Sequence, residues 1–306
     1  MKNQYKEKWN SLLKNNYFPS YLRKIKTYDF KDFTNIVINH PKKTNEIIQN
    51  MFLGDSLVIK NVFDKETINN LKNEIYNLEI ESTESKENLK ILEDCPNYHK
   101  SNKKEDLATV LDNYDETAHS HFFFRWNGDN LNIFKHFEEL WNSIKIISGL
   151  NAGDYKKNTP KDLVVDRIQV LRYPLNKGYI TTHCDLPAWQ KLNMGICLSE
   201  KGDDFDLGGL YLLDKNEKKI NIEENLKIGD CFCWVPSIFH GVDVPKNKNN
   251  DNPEWNSKKG RWQAIALTVQ SHYVKDRILS VGHKKFKENP ETFKETYRKA
   301  ALKYNS

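Results

Sequence analysis

The second half of the chain, from about residue 163, alternates short runs of β-branched and aromatic residues with turn signals. Eight runs stand out: VVDRIQVLRY, GYITTHC, LNMGICLS, GGLYLL, KKINIE, GDCFCWV, IFHGVDV and RWQAIALTVQSHY. Short strands at this spacing favour a β-sandwich or barrel over parallel β-α-β units, which would place a helix between successive strands. The pattern therefore predicts a jelly-roll core over residues 163–275.

The first half of the chain carries helical patterns instead. Residues 55–78 predict a short strand and then a helix capped near Asp64, and residues 131–150 predict an amphipathic helix. Residues 79–116 are rich in Lys, Glu, Asn and Ser without sustained periodicity, and we predict loops there. A last helix is expected over roughly 290–304.

These patterns predict one domain over residues 1–306, of the α+β class with a β-dominated core. Its parts are a helix-rich region (1–150), the jelly-roll core (163–275) and a C-terminal helical region (276–306). Helices at both ends are expected to flank the core.

Composition narrows the classes of function. The net charge is +5, but Lys and Glu are interspersed, which is typical of a solvated surface and not of a nucleic-acid-binding stripe. No segment approaches the roughly 20 apolar residues of a membrane span, and no secretory apolar stretch is visible. We expect a cytoplasmic protein with neither nucleic acid nor membrane as partner. The five cysteines lack a CxxC spacing, and most of them are expected to be buried and inert.

The run TTHCD places His183 and Asp185 two residues apart at a predicted strand end, so both side chains face the same way. Such a pair could be a metal clip, half of an acid–base site or an ordinary polar strand end. A third candidate ligand, His240, stands on a later predicted strand. Two histidines and one carboxylate form the facial triad of non-haem iron sites, which leaves coordination positions open.

Further motifs surround these three residues in a recognisable order. They are Arg172-Tyr173, His183-x-Asp185, Gly208-Gly209, Gly229-Asp230, His240-Gly241 and Gly260-Arg261. With them, residues 165–272 resemble the core of the Fe(II)/2-oxoglutarate-dependent dioxygenases, in particular the phytanoyl-CoA- and prolyl-hydroxylase-like enzymes. The resemblance implies a double-stranded β-helix, the cupin-like jelly roll.

The resemblance also implies a set of site residues. His183, Asp185 and His240 would hold Fe(II), and Arg261 would pair with the distal carboxylate of 2-oxoglutarate. Tyr173 and Asn193 are the expected further contacts of this cosubstrate. Arg261 follows His240 by 21 positions, about twice the usual family interval, and the polar loop 245–260 is expected to absorb the excess.

Strand periodicity extends the site toward a substrate. If Tyr173 faces the cavity, then Gln169 and Arg167 do so as well, and both become candidate substrate-binding residues. Trp189 is a candidate for the substrate wall, with simple packing as the alternative. Arg125 is a candidate for holding a substrate anion at the mouth of the site; the alternative is that its segment, 116–129, is a buried strand beside the core.

The function implied is oxidation of an unactivated C–H bond, most simply hydroxylation, with Fe(II), 2-oxoglutarate and O2 consumed and succinate and CO2 released. Retention of Asp185 argues against halogenation but leaves desaturation and ring formation open. Leu267 occupies the position where related nucleic-acid demethylases carry a second arginine, which favours a small-molecule substrate such as an amino acid or a biosynthetic intermediate of a natural product. The alternative of another class is a cupin-like isomerase or ligand-binding module. No oligomeric state is predicted.

Overall fold

The computed structural model describes residues 4–81, 89–102, 114–248, 252, 255–275, 277 and 280–303. The helices are α1 (Gln4–Leu13), α2 (Phe30–Asn39), α3 (Pro41–Phe52), α4 (Lys65–Glu81), α5 (Ile133–Ile147), α6 (His283–Glu288) and α7 (Pro290–Lys303). The strands are β1 (Lys24–Asp29), β2 (Asp55–Lys60), β3 (Tyr98–Asn102), β4 (Glu116–Phe124), β5 (Val164–Pro174), β6 (Tyr179–Cys184), β7 (Asn193–Cys197), β8 (Leu207–Leu213), β9 (Lys219–Asn221), β10 (Cys231–Trp234), β11 (His240–Lys246), β12 (Gly260–Gln270) and β13 (Val281–Gly282).

The strands form a major and a minor sheet. The major sheet has the order β1-β2-β10-β7-β12-β5-β4, and the minor sheet has the order β6-β11-β8-β9. Strand β4 pairs with both β5 and β6 and so joins the two sheets, while β3 extends β4 and β13 extends β6. Strands β5 to β12 coincide with the eight runs read from the sequence. The predicted α+β class and the double-stranded β-helix are confirmed by this topology.

Strands β5 and β12 form the longest pairing of the core. They run antiparallel from Val164 opposite Gln270 to Pro174 opposite Gly260. Their side chains alternate between the interior cavity and the outer face of the major sheet. The interior residues of β5 are Arg167, Gln169, Leu171 and Tyr173. This placement agrees with the periodicity expected from the sequence.

The N-terminal helices pack on the outside of the major sheet. Helix α5 buries one face, including Phe137 and Trp141, and the Trp9 indole of α1 donates a hydrogen bond to the Ile147 carbonyl at the end of α5 (2.8 Å). The predicted cap of α4 is present, since the Asp64 carboxylate accepts a hydrogen bond from the backbone N–H of Thr67 (2.8 Å). Helix α4 therefore begins where the sequence predicts.

The predicted loop region 79–116 contains more regular structure than expected. Helix α4 continues to Glu81, and β3 lies inside this region, where it is paired with β4. Positions 82–88 and 103–113 lie outside the described residues, as do 249–251 and 253–254 of the predicted loop 245–260. Strand β1 was also not expected, because its sequence KIKTYD is polar and its residues are half-buried or exposed; its parallel pairing with β2 defines it as a strand.

The C-terminal segment returns to the minor sheet. Val281 and Gly282 pair with Cys184 and His183 at the end of β6, and α7 packs behind it. Cys184 points away from the cavity toward Tyr297, with 3.7 Å between Sγ and the phenol oxygen. The expected burial of the cysteines is confirmed, because all five are buried free thiols. Within the described ranges, no helix is both long and apolar enough to cross a membrane.

Candidate metal centre and cosubstrate site

Three potential metal ligands converge where β6 and β11 meet. His183 is the next-to-last residue of β6 and lies directly opposite His240, the first residue of β11. Asp185 follows β6 by one residue, and its backbone N–H donates to the Pro236 carbonyl (2.9 Å), which fixes the turn. The Asp185 carboxylate oxygens lie 3.8 Å from Nε2 of His183 and 3.4 Å from Nε2 of His240. One donor atom from each residue lies within 4.8 Å of the others.

Backbone carbonyls orient both imidazoles. Nδ1 of His183 donates to the Thr181 carbonyl (2.9 Å), and Nδ1 of His240 donates to the Ile238 carbonyl (2.8 Å). A carbonyl can only accept, so the proton lies on Nδ1 and the Nε2 lone pairs face the centre of the triad. Burial, reinforced by His240, lowers the pKa of His183 to about 4, which keeps this ring neutral and able to bind a metal.

Two neighbours hold the Asp185 carboxylate. The Ser280 hydroxyl donates to Oδ1 (2.5 Å) and the Asn193 amide donates to Oδ2 (3.1 Å). Burial alone would raise the pKa of Asp185, but His240, His183 and Ser280 outweigh it and lower the pKa below its ordinary value. Two imidazoles with Nε2 directed at the centre and one ionised carboxylate are a donor set that suits Fe(II) among the divalent first-row metals.

The triad opens into a cavity of about 340 Å³ between the two sheets, a size suited to a small molecule. The predicted site residues on its wall are the triad itself and Tyr173, Asn193, Arg167, Gln169 and Trp189. The structure therefore brings together eight of the ten residues that the sequence singled out. Trp189 also packs against Val164 and Ala300, so its indole serves both the wall and the core.

Arg261 lies beside this cavity and is buried, with an exposed fraction of 2%. It shares the interior face of β12 with Gln263, which lines the cavity, and its guanidinium lies 5.9 Å from the Tyr173 ring. Nε of Arg261 donates to Oε1 of Glu223 (2.5 Å), and the same oxygen accepts the backbone N–H of Leu210 (2.7 Å).

One edge of the Arg261 guanidinium has an unused hydrogen-bond donor among the described residues. Among the described residues, its Nη1 is buried without a hydrogen-bond partner. Burial works against the charged guanidinium, but Glu223 outweighs it and raises the pKa of Arg261 above its ordinary value. A buried cation with an unsatisfied donor, next to a cavity wall, fits the distal carboxylate of 2-oxoglutarate.

Arg125 does not reach the cavity. Its Nε donates to Asp166 (3.2 Å), and its guanidinium lies 4.6 Å from the Phe134 ring and 5.3 Å from the Trp141 ring on the α5 side of the sheet. The chain turns after β4 and directs Arg125 toward α5. This placement corrects the expectation of a substrate contact and supports the alternative, in which the segment contains a buried strand beside the core.

Several residues in or beside the cavity had no signal in the sequence. Glu223 follows the short β9 in a polar run, and Ser280 and Arg277 come after the last predicted strand. Tyr114 stacks on His183, with 4.7 Å between ring centroids, but lies in the predicted loop region. These residues reach the site because distant segments of the chain fold back to it, which local sequence patterns do not reveal.

Together, fold and site define a double-stranded β-helix protein in which two histidines and one carboxylate form a candidate metal site. No protein-family model matches the chain, and no curated protein matches it significantly.

Solved structures with a similar course of the chain include the following three. A full-length Neurospora crassa protein, solved with α-ketoglutarate and 5-formyluracil, is 12% identical, with 91% of this chain and 96% of that chain covered and a TM-score of 0.49. JOX2 in complex with 2-oxoglutarate, iron and JA is 11% identical over 90% of this chain and 85% of that chain, with a TM-score of 0.46. A Pseudomonas putida prolyl-4-hydroxylase is 9% identical over 73% and 96% of the two chains, with a TM-score of 0.44. At such low identity these matches carry no residue roles over to this chain.

Proposed function

We propose that this protein is an Fe(II)- and 2-oxoglutarate-dependent oxygenase that hydroxylates a small anionic molecule. The observation that carries the proposal is the triad of His183, Asp185 and His240, with both Nε2 lone pairs facing the cavity. When bound there, Fe(II) would supply the oxidative chemistry that couples decarboxylation of 2-oxoglutarate to oxidation of a C–H bond.

The chain's own residues have separable roles in this proposal. His183, Asp185 and His240 hold the metal, and Ser280 and Asn193 keep the Asp185 carboxylate ionised and oriented. Arg261 binds the distal carboxylate of 2-oxoglutarate through the edge that Glu223 leaves available. Tyr173 lines the cavity and lies beside the Arg261 guanidinium, so it forms the wall between the cavity and Arg261.

The substrate side of the cavity favours an anion. Arg167 and Arg277 both line it, and Nε of Arg167 is buried without a hydrogen-bond partner among the described residues. Burial, together with the charge of Arg277, lowers the pKa of Arg167. The nearby acid Glu116 is a weak counter-ion, because burial raises its own pKa. A carboxylate or phosphate on the substrate would neutralise this pair of cations and satisfy the open donor.

Gln169 completes this part of the wall. Its Oε1 accepts a hydrogen bond from Nη2 of Arg167 (2.9 Å), so it fixes the direction in which the guanidinium points. Trp189 offers an apolar surface on the same cavity. We therefore infer a substrate with one anionic end and a less polar body, within the volume of about 340 Å³.

The test is succinate formation by the full chain with Fe(II), 2-oxoglutarate and O2, first without substrate and then with a panel of carboxylic acids, amino acids and phosphate esters. We expect slow succinate release without substrate and stimulation by an anionic compound. Asp185→Ala should abolish succinate release. Arg261→Met should raise the KM for 2-oxoglutarate about 100-fold, consistent with loss of a charge-assisted contact of roughly 3 kcal/mol.

Arg167→Met separates the substrate from the cosubstrate. It should raise the KM of the stimulating anion and leave substrate-free succinate release unchanged, whereas the surface control Arg298→Met should change neither. Absence of a visible band on anaerobic addition of Fe(II) and 2-oxoglutarate, with no succinate after O2, would refute the oxygenase. Conversion of a ligand without 2-oxoglutarate would instead establish the cupin-like alternative.

A further inference from the structure

A second group of potential metal ligands lies on the other face of the major sheet. His99 on β3 is paired directly with His121 on β4, and His119 shares the face of His121 because it stands two residues before it. Glu79, near the end of α4, closes the group, with 3.0 Å between its Oε1 and Nδ1 of His119. We call these four residues the histidine cluster.

The histidine cluster is separated from the triad by the sheet itself. Phe122 of β4 lines the triad cavity, whereas His119 and His121 point the other way. The cross-strand partner of His119 is Arg172, whose guanidinium forms an ion pair with Glu79 on the same outer face. The two groups of ligands therefore cannot serve one ion.

The distances within the cluster approach those of a metal site. One donor atom each from Glu79, His99 and His121 lies within 4.8 Å of the others, and Nε2 of His99 lies 3.0 Å from Nδ1 of His119. Donors bound to one zinc ion at about 2.1 Å are at most about 4.2 Å apart. The remaining difference is within reach of small side-chain rotations.

The imidazoles have hydrogen-bonding capacity that the protein does not use. Nδ1 of His99, Nε2 of His119 and both ring nitrogens of His121 are buried and have no hydrogen-bond partner among the described residues. A buried polar atom that stays unsatisfied destabilises the folded state. Buried groups of this kind call for an ion or an ordered ligand.

The protonation state suits a cation. Burial, assisted by the charge of Arg172, lowers the pKa of His99 to about 4 and lowers the pKa values of His119 and His121 well below their ordinary value. Neutral imidazoles keep the lone pair that a metal requires. Glu79 can bind a metal ion and the Arg172 guanidinium at the same time. An ionised carboxylate offers about four acceptor positions, and Arg172 occupies only part of them.

A route to the cluster is also present. His99 and His121 line a cavity of about 370 Å³ that also includes Asp129 and Asn97. On another side of the cluster the Trp255 ring packs on His119, with 4.2 Å between ring centroids. An ion at the cluster would thus be closed off on the Trp255 side and accessible from the cavity.

We propose that Glu79, His99 and His121 form a second metal site, suited to Zn²⁺, with His119 as a supporting residue. Three nitrogen and oxygen donors with one coordination position open to a cavity match the ligand types and number of an accessible zinc site. This inference is independent of the oxygenase proposal, because neither the triad nor Arg261 contributes to it.

The experiment measures zinc stoichiometry in the full chain after removal of the triad. His183→Ala/Asp185→Ala protein is stripped with a chelator, titrated with Zn²⁺ by calorimetry and analysed for metal after dialysis. We expect one equivalent to remain bound. Adding His99→Ala and His121→Ala should abolish that equivalent, whereas the control His136→Ala, an exposed histidine on α5, should retain it.

A second measurement covers the case in which the cluster variant fails to fold. X-ray absorption at the zinc edge of the His183→Ala/Asp185→Ala protein should show nitrogen and oxygen neighbours at about 2.0–2.1 Å with the multiple-scattering pattern of two imidazoles. No retained zinc in this protein, or zinc without imidazole neighbours, overturns the proposal. Folding of each variant is checked by circular dichroism.

Discussion

Glu223→Gln is the substitution that most directly tests how Arg261 functions. In the structure, Glu223 neutralises a cation that we assign to 2-oxoglutarate, so the protein's own carboxylate competes with the cosubstrate for one guanidinium. Both side chains are buried, with exposed fractions of 3% and 2%. Glutamine can keep Oε1 as the acceptor for Arg261 and Leu210, so the change removes charge and retains shape.

The size of the effect follows from the geometry. Two carboxylates on different edges of one guanidinium lie roughly 7 Å apart, and at an effective dielectric constant of about 20 they repel by about 2 kcal/mol. Removing one charge should therefore tighten binding of 2-oxoglutarate by about 10- to 30-fold. The same change leaves a buried cation unpaired when no cosubstrate is bound, which should destabilise that state by up to about 3 kcal/mol.

The assay is anaerobic calorimetry with Mn²⁺ in the triad, accompanied by thermal unfolding with and without 2-oxoglutarate. We expect Glu223→Gln to have a lower melting temperature alone and a larger stabilisation by 2-oxoglutarate than the wild type. The control is Glu224→Gln, the exposed neighbour, which should behave as wild type. A folded Glu223→Gln protein with unchanged or weaker affinity for 2-oxoglutarate would refute the electrostatic reasoning.

Two further predictions concern the metal ligand Asp185 and a buried lysine. Ser280→Ala removes the hydroxyl that donates to Asp185 and should weaken Fe(II) binding about tenfold in an anaerobic titration, with Ser11→Ala on the surface as control; equal affinities would contradict this role. Burial and the charge of Lys6 lower the pKa of Lys191 to about 7. The unfolded chain then binds more protons above that pH, so stability should rise with pH. Between pH 7.5 and 9.5, urea unfolding should show wild type gaining about 2 kcal/mol over Lys191→Met, and parallel curves would contradict it.

The sequence predicted the core well because its strands can be recognised from their local residue pattern. Strands β5 to β12 are short runs rich in β-branched and aromatic residues between turn residues, and the shared direction of His183 and Asp185 follows from their two-residue spacing at a strand end. β1 and β3 were missed because their residues are polar and their positions depend on pairing with β2 and β4. Local periodicity cannot report a pairing with a distant strand.

The misplacement of Arg125 has a different physical cause. Strand periodicity predicts a face only while the strand continues, and β4 ends at Phe124. One residue further, the chain turns and Arg125 pairs with Asp166 beside the buried Lys145. Glu223 was missed for a related reason, since it lies in a turn and only the return of β12 brings Arg261 to it.

The pairing of β4 with β5 explains how the two faces of one sheet can present two separate groups of potential metal ligands. Each strand places alternate residues on opposite faces, so Phe122 and Gln169 border the triad cavity while His121 and Val170 face the helices. A slip of one residue would exchange these faces and move the histidines into the triad cavity. The eleven-residue pairing of β5 with β12 and the apolar residues beneath α5 fix the register against such a slip. Separation of the triad from the histidine cluster is therefore a consequence of register, and substitutions that loosen β4 should disturb both groups of residues together.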